Sequence, residues 1–158
     1  MTVKVLIAHS RDGVGGSVIT GALLASEGLK SGRWSPVCIC NTRGPGFDFH
    51  QRIGLPVVAL AETIKLRYTP DPDDGNLIKR IFKRLFLILA ARRYLRSHQP
   101  DIIHVHDESS ALAWGLAARK AKIPLIWHYH RQPPQKSVDW LLRRLAAHIV
   151  LVAGSNRK

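Results

Sequence analysis

The chain has 158 residues, 46% of them hydrophobic, which suffices for one buried core and predicts a single domain over residues 1–158. Its 24 Lys and Arg against 11 Asp and Glu leave a formal charge of +13, so an anionic partner is expected: phosphate, nucleic acid or an acidic membrane surface. No apolar run is long enough to span a bilayer, and the short apolar start, Val3 to Ala8, does not read as a signal peptide.

In chain order, Val3 to His9 reads as a strand, and Ser10 to Val14 as a loop whose Asp12 and glycines lead into a helix from about Gly15 to Lys30. Val18, Ala22 and Leu29 are placed on the inner side of that helix. Pro36 to Cys40 is the second strand; Cys38 and Cys40 alternate on it, too close in backbone for an ordinary disulfide, and are expected as buried, reduced thiols of a cytoplasmic protein. Asn41 to Phe49 reads as a Gly/Pro-rich loop, Leu55 to Leu60 as strand three, and Thr69 to Asn76 as a loop and helix cap. A long helix from Leu77 to Ser97 follows, then the run Pro100-Asp-Ile-Ile-His-Val-His106, a small-residue helix from Ser109 to Ala121, and the run Pro124-Leu-Ile-Trp-His-Tyr-His130. A helix from Ser137 to Ala147 and a strand from His148 to Ala153 complete the pattern. Strands that alternate with helices in this way predict an α/β fold, a doubly wound, Rossmann-like parallel sheet of six strands in the order 3-2-1-4-5-6.

The two apolar runs that end in histidine set His106 and His130 at the carboxyl ends of strands, the edge where open α/β sheets bind ligands. His104 and His128 lie one pleat deeper and are expected as hydrogen-bonded core histidines. For His106 two roles stay open, acceptor contact or bracing of the following helix cap with Asp107. Zinc is set aside, because the chain has no helical His-x-x-x-His pair and no cysteine beside these histidines, so no metal is expected.

Asp12-Gly-Val-Gly-Gly-Ser17 combines close backbone approach with the partial positive charge of a helix start, which suits a phosphate. The alternative is that Gly15 and Gly16 only permit a tight strand-to-helix turn. The loop is neither a P-loop nor a Gly-x-Gly-x-x-Gly turn, and strand two ends in Cys40-Asn41-Thr42 where a nicotinamide enzyme carries an acid for the ribose. No cofactor is expected.

Between Leu77 and Pro100 no acid occurs, while Lys79, Arg80, Lys83, Arg84, Arg92, Arg93 and Arg96 concentrate positive charge. Ile78, Ile81, Phe82, Leu85 and Leu89 recur at helical spacing and are expected to face the sheet, with Lys79, Arg80, Lys83 and Arg84 opposite and Phe86 and Leu87 outside the stripe. The excess charge predicts that Lys79, Arg80, Lys83 and Arg84 face an anionic membrane. Nucleic acid is not expected, since aromatic content is 7% and no nucleic-acid-binding motif appears.

Taken together, Gly15-Gly16 at the first helix, the Pro-Asp-Ile-Ile-His-x-His strand, the Ile-Pro-x-Ile-x-x-x-His strand and the last strand running into Ser155 resemble the N-terminal, acceptor-side domain of the family 4 retaining glycosyltransferases with the GT-B fold. The likeness covers essentially the whole chain. It implies transfer of a hexosyl unit from a nucleotide-diphosphate sugar, without a required metal or other cofactor, onto a sugar or lipid-linked sugar acceptor in glycan or glycolipid synthesis. It further implies that Gly15 and Gly16 meet the donor diphosphate, that His130 is the catalytic histidine beside the reacting sugar, and that His106, Asp107 and Ser155 line the acceptor cleft. The C-terminal donor-binding domain of such enzymes has no counterpart in these residues, so the chain alone is expected to be inactive. A cytoplasmic location, peripheral on the inner face of the membrane, goes with this reading. Two alternatives remain: a non-catalytic partner subunit of a two-chain glycosyltransferase, and a basic Rossmann-like module that binds nucleic acid or phosphate.

Overall fold

A computed structural model describes residues 2–9, 13–63, 77–129 and 136–151, without the side chains of 63, 77, 79, 80 and 136–139. Six parallel strands form one sheet, β1 (Val3–Ala8), β2 (Trp34–Cys40), β3 (Val57–Ala59), β4 (Ile102–Val105), β5 (Leu125–Tyr129) and β6 (His148–Leu151), in the order β3-β2-β1-β4-β5-β6. This is the expected Rossmann-like α/β topology. The helices are α1 (Gly16–Ser31), α2 (Pro45–Arg52), α3 (Leu60–Thr63), α4 (Leu77–His98), α5 (Glu108–Ala121) and α6 (Lys136–Leu145).

Alternation along the strands sorts the side chains into two layers. Leu6, Ala8, Ile39, Ile103, Val105, Leu125, Trp127 and Tyr129 form one core with Ala91, Tyr94 and Leu95 of α4, Trp114 and Ala117 of α5, and Leu142 and Leu145 of α6. On the opposite face Ile7 and Cys38 pack with Ala22 and Ala25 of α1 and with Leu55. Register pairs Ile7 with both Cys38 and His104, so β4 presents His104, and two residues on His106, to the α1 face. Strand order reverses between β1 and β4, which opens the ligand crevice beyond their carboxyl ends.

Helix α1 lies close to the sheet because its inner side is nearly bare. A Cβ on Gly21 would come within 2.5 Å of the His9 ring, and one on Gly28 within 2.5 Å of the Trp34 ring. Val18 and Ala22 are buried as expected, but Leu29 is exposed, and Ala25 and Gly28 take the inner positions instead. Cys38 and Cys40 are buried free thiols, and burial, with Cys40 adding to it, pushes Cys38 up to about 12, which keeps it protonated and inert.

The structure departs from the sequence expectation in two places that matter. Part of the expected loop 41–49 is helix: Gly44 is extended, Pro45 opens α2 at a position where a missing N–H costs nothing, and Phe47 and His50 are buried. In α4 the stripe Ile78, Ile81, Phe82, Leu85 and Leu89 faces outward, with Phe82 67% and Leu89 59% exposed, and Phe86 joins it. The sheet is covered instead by Ala90, Ala91, Tyr94 and Leu95, with Leu87 packed against them. The apolar period was right, but only the last two turns of α4 reach the core, and there small and aromatic residues on another side make the contact.

Candidate functional site at the carboxyl edge of the sheet

Histidines from four elements meet at the crevice. His9 follows β1, His50 lies on α2, His104 and His106 come from β4 and its end, and His128 from β5. Ring centroids are 5.1 Å apart for His9 and His50, 5.7 Å for His9 and His106, 4.5 Å for His104 and His106, 5.1 Å for His106 and His128, and 5.7 Å for the stacked pair His104 and His128. His9, His50 and His106 are buried, whereas His104 and His128 are half-buried. On β4 that reverses the expected depth of His104 and His106, because α1 and α2 close over the His9–His106 side.

Burial disfavours the protonated form of His9 and of His50. Burial, with His50 and His104 close by, pushes His9 from its ordinary 6.5 down to about 3. Burial also lowers His50, against the opposing effect of its Nδ1–H donating to the Gly46 carbonyl at 2.6 Å. Neither ring nitrogen of His9 has a hydrogen-bond partner among the described residues.

Two helix starts flank the histidines. Asp107 caps α5, accepting from the Ser110 amide at 2.8 Å and from the Ser110 hydroxyl at 2.9 Å, so its carboxylate organises the helix end beside His106. Gly15 is the extended N-cap of α1 and offers no side chain to the first-turn amides, which by position lack intrahelical acceptors. A Cβ at Gly15 or Gly16 would meet nothing within 4 Å among the described residues. Neither glycine is among those with positive φ, Gly32 and Gly54. Among the described residues, then, neither a positive φ nor a close neighbour calls for glycine at either position.

Of the residues expected in the site, the structure brings together His106 and Asp107 and sets Gly15 and Gly16 at the α1 start. His130 and Ser155 lie outside the described residues. His9 and His50 were not foreseen. His9 has a visible signal, a histidine ending the first strand at the same edge as His106, but His50 depends on α2, whose residues 45–49 carry the composition of a loop.

The sequence matches the Glycosyltransferase Family 4 pattern over residues 15–156, nearly the whole chain. The chain belongs to glycosyltransferase family 4. A curated relative from Pseudoalteromonas translucida (strain TAC 125), the UDP-N-acetylglucosamine--N-acetylmuramyl-(pentapeptide) pyrophosphoryl-undecaprenol N-acetylglucosamine transferase, is 34% identical over 73 residues, 44% of this chain and 20% of that protein. The crystal structure of Acinetobacter baumannii MurG superposes with a TM-score of 0.72 at 19% identity, covering 100% of this chain and 43% of MurG. Anabaena HepE, solved with UDP and glucose, superposes with a TM-score of 0.59 at 15% identity over 93% of this chain and 37% of its own. The chain thus spans less than half the length of each.

In this family 4 domain the fold is that of one Rossmann-like half of a GT-B enzyme. Among the described residues no helix is long and apolar enough to cross a membrane. The exposed α4 stripe is continued three, four and seven residues after Leu89 by Arg92, which is half-buried, and by Arg93 and Arg96, which are exposed, so apolar and basic residues share one line along the helix. Lys83 is half-buried and Arg84 exposed, and both stand on the side of α4 that further along packs on the core.

Proposed function

We propose that this chain is the acceptor-side N-terminal domain of a retaining glycosyltransferase that transfers a hexosyl unit from a nucleotide-diphosphate sugar to a sugar or lipid-linked sugar. The observation that carries the reading is the bare, open start of α1 at the strand-order reversal of a family 4 fold. Glycines with open space where a Cβ would stand, at a helix start with its first-turn amides and dipole, leave room for a diphosphate to approach the backbone. HepE, solved with UDP and glucose, supports a uridine-type donor as the first to try. Asp107, His106 and Ser155 are assigned to the acceptor side, and His130 to the reacting sugar. No cofactor enters the reaction.

The test uses the full-length enzyme. His130→Ala is expected to lower turnover at least tenfold, about 1.4 kcal/mol of transition-state stabilisation, with little change in donor affinity. Near-normal turnover would remove His130 from the site. The 158-residue chain alone is expected to transfer nothing from a panel of nucleotide sugars, and robust turnover by it would overturn the division of labour between two domains.

The same proposal places the domain at the cytoplasmic face of an anionic membrane, held peripherally by α4. The support is the outward line of Ile78, Ile81, Phe82, Leu85, Phe86 and Leu89 running into Arg92, Arg93 and Arg96, a combination suited to the boundary between acyl chains and anionic headgroups. At about 1 kcal/mol per basic residue, Arg93→Gln with Arg96→Gln should weaken binding to anionic vesicles roughly thirtyfold. Co-sedimentation at low and high salt checks this. Equal pelleting with neutral and anionic lipid, or none with either, would leave α4 as a crossover helix without a membrane role.

A further inference from the structure

We propose that His104, His106 and His128 form a binding site for one divalent transition-metal ion, zinc above all, between β4 and β5 at the ligand edge of the sheet. One ring nitrogen from each of the three lies within 4.8 Å of the others. Parallel register explains the convergence: Val105 pairs with Trp127, so the next residue on each strand, His106 and His128, comes level on the opposite face, with His104 one pleat back. Tetrahedral coordination at about 2.0–2.1 Å needs nitrogens roughly 3.3 Å apart, so the three must draw inward by about an ångström. Imidazole χ2 wells are broad, and His104 and His128, half-buried where His106 is fully buried, are the rings that would turn.

The chemistry of the set favours zinc, copper, nickel or cobalt over magnesium or calcium, since it offers imidazole nitrogen and no oxygen cage. Three histidines also leave one coordination position for water or a ligand oxygen. Negative charge to offset the ion is adjacent in the chain, as Asp107 and Glu108 directly follow His106. An independent sign of an environment built for more than packing is His9, which is 1% exposed, stands 5.7 Å from the His106 ring, and has no hydrogen-bond partner among the described residues for either ring nitrogen. Leaving such a group unsatisfied costs about 1–3 kcal/mol, a cost that an apolar residue would not incur. The sequence had argued against zinc by seeking helical spacing and cysteines; here the site is assembled from two neighbouring strands.

The experiment uses the 158-residue chain, stripped with chelator and dialysed at neutral pH against cobalt and then zinc. One equivalent of Co²⁺ should develop visible d–d absorption that one equivalent of Zn²⁺ abolishes. His104→Gln and His128→Gln, both at half-buried positions, should each weaken zinc binding at least tenfold while circular dichroism shows the fold retained. His98→Gln, on the exposed end of α4 and stacked on Tyr94, should bind as wild type does. Zinc bound no more tightly by the wild-type chain than by the His104→Gln/His128→Gln double variant would overturn the proposal, as would wild-type affinity in both folded single variants.

Discussion

Lowering the pH from about 7.5 to about 5 is expected to cost the metal-free chain about 2 kcal/mol of folding stability through His9 alone. The folded-state value of His9 is about 3 and its ordinary value 6.5, so between these limits the unfolded chain binds a proton that the folded chain refuses. Stability from this group is therefore complete above about pH 7, falls by about 1.4 kcal/mol per unit below 6.5, and is fully lost only near pH 3. By about pH 4 the loss reaches about 3 kcal/mol, a large share of the 5–15 kcal/mol that holds a typical domain together. His50, also lowered by burial, adds to the loss in the same direction. Urea unfolding followed by tryptophan fluorescence, in chelator, at several pH values from about 7.5 to about 5 checks this, in a window where ordinary carboxylates titrate little. His9→Leu should flatten the dependence, because no proton can then be taken up at that position. A wild-type midpoint that stays constant across the window would show that His9 takes up its proton as readily in the folded chain as in the unfolded one.

The strands and their order were readable because each is a short run of Val, Ile and Leu bounded by Gly or Pro, and because crossover handedness leaves few ways to arrange six parallel strands. Boundaries such as Gly16–Ser31 against the expected Gly15 to Lys30 differ by a residue, as helix ends do. What sequence could not supply was which neighbour a face meets. Gly44-Pro45-Gly46 carries the residues of a turn, yet the same Pro opens a helix once Phe47 and His50 have a core to enter. The stripe from Ile78 to Leu89 has the period of a sheet-covering helix, but period does not say where the sheet ends, and the first turns of α4 overhang it. At the site, Gly15, Gly16, His106 and Asp107 were visible from their places at strand and helix ends. The meeting of His9 and His50 with the β4 and β5 histidines depends on α1 and α2 closing over one face, a tertiary event with no local spacing to announce it.

Trp114→Ala is expected to be the most damaging single substitution in the helical layer, at about 3–5 kcal/mol, the usual range for deleting a buried tryptophan. Trp114 is 1% exposed, on the inner side of α5, and meets the Tyr94 ring of α4 edge-on at 6.2 Å. It belongs to the core that joins α4, α5 and α6 to the sheet, so its loss leaves a cavity between two helices rather than a gap at the surface. Small residues of the same core, Ala90, Ala91, Ala117 and Ala118, have no side-chain length with which to fill that space. The consequence reaches function through α4: among the described residues the helix is anchored mainly over its C-terminal half, by Ala90, Ala91, Tyr94 and Leu95 with Leu87, so removing the ring against Tyr94 should loosen the outward stripe along with the helix. Urea midpoints of the wild type, Trp114→Ala and Trp114→Phe check the stability, and vesicle co-sedimentation of the same three proteins checks the link. Trp114→Phe should lose less, since it keeps a ring for the edge-on contact. Trp140→Ala serves as the comparison, because Trp140 is 55% exposed and stacks with Arg144, a contact of about 0.5–1 kcal/mol at an exposed site. If Trp114→Ala cost no more than Trp140→Ala, the α4–α5 contact would not be what fixes α4 to the sheet.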